Sequence, residues 1–272
     1  VTKVRQGDYV VLSWIRGRGL DNPAAVYNAG GQKINSGAIS TFLEHAVVSE
    51  NRLTAISEDI PPHVASLLGC TVPTAAGIIK NSINPKPGSS LAIFGAGGIG
   101  LAALLFAKCY ECSQVIVVDI NESKLELARK LGVTHTVNAA NENVVQKIME
   151  LTGGGVDYAI ECSGAKQAME QAFGSINNSG LAVIAGNLRS GERISIDPFD
   201  LIKGKRIIGS WGGQAFPDED LPFYVGLYKE GKFNIDKLIS KIFPFEDVNS
   251  AIDEFRKGDV VRVLLRMDGQ NG

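Results

Sequence analysis

Residues that hold metals or close disulfides are scarce in this chain, with four cysteines and three histidines in 272 positions. So few thiols, with no secretory leader ahead of them, exclude a disulfide framework and read as reduced cysteines in a cytoplasmic protein. Charge of one sign is also missing, because 27 basic and 29 acidic side chains leave a formal charge of -2. No block of like charge offers a tail to nucleic acid or an anionic membrane, so the expected partners are small molecules. A membrane span needs roughly 18–20 apolar residues. The run over 91–107 falls short of that, holds four glycines and stops at Lys108, which fits a buried strand followed by a buried helix.

What is present suits a folded core, at 44% hydrophobic and 21% charged residues, and the length lies between one large domain and two modest ones. The opening residues move straight into a turn and an apolar strand and read as the middle of a domain. Over 1–60, short β-rich runs at 9–14 and 46–49 alternate with Gly, Asn and Pro, the pattern of a small strand-and-turn unit. The stretch 22–37 has no clear periodicity and reads as a loop. Helical spacing returns over 64–80 with a break near Pro73.

Beyond 84–88 the pattern becomes regular. Strands are predicted over 90–94, 114–119, 135–137, 156–161, 181–185 and 206–209, and helices over 98–109, 122–130, 142–151 and 166–173. Strands that are apolar throughout, alternating with helices, predict an α/β fold with a doubly wound parallel sheet over about 78–212. The tail adds helices over 221–230 and 248–256 and a terminal strand over 261–265. That strand is expected to pair with the N-terminal unit, so that both chain ends build one split domain.

The sharpest local signal is Gly95-Ala96-Gly97-Gly98-Ile99-Gly100, which follows a predicted strand and opens a helix. In that context it reads as a dinucleotide fingerprint. Gly95 permits the tight turn, Gly97 removes a side chain that would hold off the pyrophosphate, and Gly100 lets the helix close on the sheet. Gly98 and Ile99 begin a helix whose free N–H groups face the phosphates. The next strand ends at Asp119, 24 residues after Gly95. A carboxylate there can accept both ribose hydroxyls and repels a 2′-phosphate, which favours NAD over NADP. Lys124 reads either as a ribose neighbour or as a solvated helix lysine.

With these motifs the chain resembles the zinc-dependent medium-chain alcohol dehydrogenases. Further landmarks are Gly7-Asp8-Tyr9-Val10-Val11, the run from Leu68 to Gly77, Gly155-Val156-Asp157 and Phe243-Pro244-Phe245-Glu246. The resemblance implies a partial GroES-like β domain over 1–77, a Rossmann domain over 78–212, and a return segment over 213–272 that completes the GroES-like part. It implies hydride transfer between NAD(H) and a small alcohol, aldehyde or ketone, with one catalytic zinc per subunit acting as a Lewis acid. Cys70 would be one zinc ligand, although spacing alone reads it as a buried core cysteine. The other ligands, a Cys and the His of a Gly-His-Glu, are expected before Val1. Thr74 would lie near the nicotinamide or proton relay, and Arg262 near the pyrophosphate; without the resemblance Arg262 reads as half of a surface ion pair.

Ala185, within 184–187, would belong to the nicotinamide wall, Cys162 reads as a wall residue of the cofactor domain, and Trp211-Gly212-Gly213 would line the passage between domains. His45, His63 and His135 fit no ligand position, while Cys109 and Cys112 read as core and cap residues. The interval 15–40 contains no cysteine, so no structural zinc is expected. Copies would pair along the 206–209 edge as a homodimer or homotetramer. Two rival readings are a zinc-free NAD(P)H-dependent carbonyl or quinone reductase, and a non-catalytic NAD-binding protein if the chain truly starts at Val1.

Overall fold

A computed structural model describes residues 1–35 and 37–267. Four short strands open the chain: β1 (Val10–Leu12), β2 (Val26–Ala29), β3 (Gln32–Asn35) and β4 (Leu53–Ala55). β1 pairs antiparallel with β4. β2 and β3 form a hairpin within the stretch that the sequence presents as a loop. Its turn residues Gly30 and Gly31 have φ of 56° and 82°, the two positive values that a tight hairpin turn of the primed type requires. The strand residues are mostly exposed and half of them polar, so no alternation marked them. The expected strand over 46–49 is not formed; β4 takes its place beside β1. Glu50 fastens this unit. Its buried carboxylate accepts the N–H of Lys3 at 2.6 Å and of Leu20 at 2.9 Å, as well as the N–H of Thr2.

The helical stretch that follows bends by 57° between 62–69 and 71–83. Its parts are α1 (Pro62–Ala65), a 3-10 turn at Ser66–Gly69, α2 (Thr71–Gly77) and a π-helical turn at Ile78–Ile83. The break falls at Cys70, with φ -148°, and not at Pro73. Pro73 stands in the first turn of α2, where a missing N–H deprives the helix of no bond.

Six parallel strands then make one sheet: β5 (Ser90–Phe94), β6 (Gln114–Asp119), β7 (His135–Asn138), β8 (Val156–Glu161), β9 (Ile176–Ile184) and β10 (Arg206–Gly209). Their order is β10-β9-β8-β5-β6-β7. The intervening helices are α3 (Gly98–Ala107), α4 (Glu122–Lys130), α5 (Val144–Thr152), α6 (Lys166–Gly174) and α7 (Pro198–Ile202). The strands are apolar on both sides because each side is covered. Leu91 and Ile93 of β5, with Val115 and Val117 of β6, feed one core cluster; the alternate residues Ala92, Phe94, Ile116 and Val118 feed the other. This is a doubly wound sheet, and α3 is buried along 100–107. The run over 91–107 therefore divides into β5 and α3, and no single helix among the described residues is long and apolar enough to cross a membrane.

The return segment holds α8 (Pro217–Lys229), β11 (Ile239–Pro244), α9 (Val248–Arg256) and β12 (Arg262–Arg266). α8 packs Tyr224 edge-on against Phe106 of α3, with ring centres 5.6 Å apart. Lys80 donates to the buried Asp220 at 2.9 Å, and Asn81 donates to the carbonyls of Gly213 and Gln214 at 3.2 Å. These bonds fasten the π-helical turn to the return segment. The terminal strand departs from expectation: β12 pairs in parallel with β11 and not with the N-terminal unit. A parallel partner needs a crossover, and α9 supplies one close by in sequence.

Candidate cofactor cleft and active site

The sheet order reverses between β5 and β8, since the chain leaves β5 toward β6 and β7 and then returns through β8 to β9 and β10. In open α/β sheets the crevice at such a reversal, outside the carboxyl ends of the strands, is where ligands bind. The glycine loop occupies this point. Gly95 has φ 100°, a conformation that only glycine adopts without strain. A β-carbon at Gly97 would meet nothing within 4 Å, whereas one at Gly100 would overlap the Gly95 carbonyl oxygen. Gly100 thus permits the close approach of helix and loop, and Gly97 keeps the cradle open. Because α3 starts at Gly98 with no side-chain cap, its first N–H groups remain available to an anion.

Asp119 ends β6 beside this loop. Its Oδ2 accepts the Ala96 N–H at 2.6 Å and its Oδ1 the Asn121 N–H at 2.9 Å. A carboxylate has about four acceptor sites, so lone pairs remain for a diol. Lys124 is half-buried in the first turn of α4.

From the other side the segment 258–262 lies over the loop. Asn121 Nδ2 donates to the Gly258 carbonyl at 3.3 Å, and Ser123 Oγ to Asp259 at 3.3 Å. Arg262 follows at the start of β12, with its guanidinium against Gly98. Its Nε is buried and has no hydrogen-bond partner among the described residues. Burial pulls the guanidinium below its ordinary pKa, and Cys70, within electrostatic reach, opposes that shift. A buried donor left unsatisfied costs about 1–3 kcal/mol, so this orphan beside a phosphate cradle is the structure's own sign of an anionic ligand. Cys70 itself is exposed at the head of α2 and forms no disulfide. The core-cysteine reading fails here.

A family profile described as "Zinc-binding dehydrogenase" matches residues 98–230. "Alcohol dehydrogenase 1" of Pisum sativum is 35% identical over 265 residues, which span 96% of this chain and 70% of that protein. "Alcohol dehydrogenase 1" of Trifolium repens is 38% identical over 232 residues, 84% of this chain and 61% of that one. The crystal structure of benzyl alcohol dehydrogenase from Acinetobacter calcoaceticus superposes with a TM-score of 0.85 at 30% identity, covering 98% of this chain and 79% of that one. The chain belongs to the zinc-dependent alcohol dehydrogenase family. It spans about three fifths of the length of the Trifolium repens relative.

In this chain the cleft gathers most of the residues singled out in the sequence. Thr74 lies one helical turn beyond Cys70 and its N–H donates to the Cys70 carbonyl at 3.1 Å; its Oγ1 is buried without a partner. Gly213 packs on the Thr74 carbonyl and on Gly77, and the exposed Trp211 meets Trp14 edge-on at 5.2 Å. Ala185 follows the carboxyl end of β9, and its N–H donates to the Glu161 carbonyl at 2.9 Å. Cys162 follows β8, and burial pushes its thiol up. Cys109 and Cys112 are free thiols, raised by burial.

The loop, Asp119 and Arg262 fit a nicotinamide dinucleotide through an open cradle, an acceptor for a diol and an orphan cation. Zinc fares differently. A tetrahedral site takes three or four protein ligands, and no group of three His, Cys, Asp or Glu residues among the described residues could hold a metal. Cys70 is a single donor, so the described residues by themselves do not fit a zinc ion.

Sequence reasoning missed Glu161 as a site residue. It ends β8 as Asp119 ends β6, and these strands flank β5 on either side. An acid closing the strand after the apolar pair Ala159-Ile160 was the available signal. Glu161 is 0% exposed, and burial pushes its carboxyl up against the opposing donors of Ser163, Gly164 and Gly186.

Proposed function

We propose that this protein is an NAD(H)-linked oxidoreductase that interconverts a small alcohol with its aldehyde or ketone. The observation that carries the reading is the glycine loop at the sheet's reversal point, capped by the unpaired, buried Nε of Arg262. NAD bound there supplies the hydride acceptor or donor. The chain's own residues bind and orient: the α3 N-terminus and Arg262 take the pyrophosphate, Asp119 takes the ribose hydroxyls and disfavours a 2′-phosphate, and Lys124 approaches the same ribose. Thr74 contributes a hydroxyl to the reacting end, where an alcohol proton must leave, and Ala185 forms the wall behind the nicotinamide.

Residues 1–77 and 213–272 are assigned to the catalytic part and 78–212 to the cofactor part. Cys70 is assigned as one metal donor; a zinc there takes its other donors from outside the described residues, and no structural zinc is assigned. β10 is an exposed edge, which makes it the surface for pairing of copies as a homodimer or homotetramer. Four free cysteines support a cytoplasmic location.

Titration of the purified protein with NADH and NADPH, followed by nicotinamide fluorescence, tests the cofactor assignment. A panel of primary, aryl and secondary alcohols with NAD then tests the reaction. Saturable NADH binding with alcohol-dependent absorbance at the NADH band is expected. Absence of NADH binding overturns the reading; binding without turnover of any alcohol or carbonyl leaves a cofactor-binding protein.

A further inference from the structure

The cleft contains one fully buried charged side chain that has no task in the reading above. Glu161 stands at the carboxyl end of β8, at the reversal point itself, with Phe94 of β5 and Ile184 of β9 as its neighbours in register. Its strand companions Ala159 and Ile160 are apolar and equally buried. An ionisable group in such a place costs desolvation that an aliphatic residue would avoid.

Its bonds show what the carboxylate does. Oε1 accepts the Ser163 N–H at 2.7 Å, the Ser163 hydroxyl at 2.6 Å and the Gly164 N–H at 2.9 Å, which folds the turn after β8 onto the end of its own strand. That turn is wedged between two others. A β-carbon on Gly95 would stand 3.0 Å from the Ser163 nitrogen, and one on Gly164 would stand 2.8 Å from the Asn187 oxygen. The main-chain carbonyl of Glu161 meanwhile accepts the N–H groups of Ala185 and Gly186 at 2.9 and 3.1 Å. One residue therefore spaces three successive turns, at 95–98, 162–164 and 185–187, whose outer faces form the crevice.

We propose that Glu161 is a positioning residue for the nicotinamide half of the cofactor. Its carboxylate sets the gap between the phosphate loop and the Ala185 wall, and it touches neither cofactor nor substrate. The proposal rests on the reading that the cleft binds a nicotinamide dinucleotide. Oε2 lies against Gly186, so Glu161→Gln keeps an acceptor on Ser163 and Gly164 while it replaces the charge with an amide. Glu161→Ala removes the brace, and Glu161→Asp keeps the charge but withdraws it by one methylene.

The experiment is a pair of titrations, with NADH and with AMP, on the purified wild type and these three variants, alongside thermal unfolding. AMP fills the adenosine half alone, at Asp119 on the far side of β5. Loss of charge-assisted bonds of this strength is expected to weaken NADH roughly ten-fold in Glu161→Ala and Glu161→Asp. AMP affinity is expected to hold within about two-fold, and Glu161→Gln, which keeps the acceptor but not the charge, to recover part of the NADH loss. Unchanged NADH affinity in the Ala or Asp variant overturns the proposal, and so does an equal loss of NADH and AMP, which marks a scaffold role. If Glu161→Ala does not fold, the Asp and Gln variants carry the same comparison. A wild type that binds no NADH overturns the cofactor reading and this proposal together, whereas a wild type that binds it with an indifferent Glu161 overturns the proposal alone.

Discussion

The guanidinium of Arg262 rests on the Cα of Gly98, so close that a β-carbon there would overlap Nε, Nη2 and Cζ. A residue from the end of the chain is in this way seated on the first residue of the helix that follows the phosphate loop. Arg262→Gln is expected to raise the dissociation constant for NADH about ten-fold or more, the worth of a charge-assisted bond. Gly98→Ala should act in the same direction by pushing the guanidinium aside. Fluorescence titration reads both, and an unchanged constant in Arg262→Gln would remove the pyrophosphate assignment.

Asp119 holds the loop through Ala96 and keeps acceptor capacity toward the cleft. Asp119→Gly is expected to weaken NADH and to narrow its advantage over NADPH, because the repulsion of a 2′-phosphate disappears. The ratio of kcat/KM for the two cofactors measures the change. A ratio that does not move would mean that the ribose is read elsewhere.

How much of this was legible in the sequence depends on the range of the interactions. The order β5, α3, β6, α4 could be read because each element carries its own signal: unbroken apolar strands, helical spacing over 122–130, and glycines at fixed spacing. The β6 bounds fell on the expected residues. The partner of β12 could not be read, because 261–265 is an apolar run that would suit several neighbours, and the choice of β11 is made by α9 in three dimensions. The β2–β3 hairpin was hidden by its polar, exposed residues. Cys70 and Arg262 were legible only through family likeness, and their spacing across 192 positions (262 minus 70) carries no local signal. Glu161 was missed because a buried acid is explained by its donors, and the fold alone gathers Ser163, Gly164 and Gly186 around it.

Gly100 leaves no room for a side chain, since a β-carbon would overlap the Gly95 carbonyl oxygen. The obstacle is backbone and cannot swing away. Gly100→Ala is expected to lower stability by roughly 1–3 kcal/mol and NADH affinity with it, as measured by denaturant unfolding and titration. Gly97→Ala, with open space around the new methyl, should spare stability while weakening NADH.

Glu50 gives the fold a defined acid sensitivity. Backbone N–H donors from Leu20, Lys3 and Thr2 hold its carboxyl down at about 2, against an ordinary 4.5. The unfolded chain takes up this proton first as pH falls. The stabilisation is therefore complete above the ordinary value and is lost between 4.5 and about 2. Glu50→Gln should melt below the wild type at neutral pH, with a gap that closes over that window. A gap independent of pH would show that the ionised form of Glu50 contributes nothing beyond its neutral form.

Cys70 is exposed and lies outside the hydrophobic core, so Cys70→Ser should change stability by no more than about 0.5 kcal/mol. If it is a metal donor, the same change lowers the zinc content of the purified protein and removes alcohol turnover, while NADH binding persists. Elemental analysis beside the titration separates these effects. Full activity in the serine variant would withdraw the ligand assignment.

The parallel pairing of β12 with β11 joins Ile239 to Arg262, 23 residues apart by subtraction. Closing so short a loop costs little chain entropy, and each doubling of its length would add only about 0.6 kcal/mol. The arm that delivers the guanidinium is thus a locally closed cassette. Its grip on the sheet domain includes Asn121 to Gly258 and Asp259, Ser123 to Asp259, and Arg262 upon Gly98, while Val261 and Leu264 join the core cluster that holds β5 and β6 residues. Pairing within the arm is therefore local, whereas its seat over the phosphate loop draws on polar bonds at the cleft and on burial in the shared core. Loss of the Ser123 hydroxyl is expected to loosen the arm at the cleft while the β11–β12 pairing persists, and a cofactor that bridges loop and arm gains part of its affinity by pulling the two together.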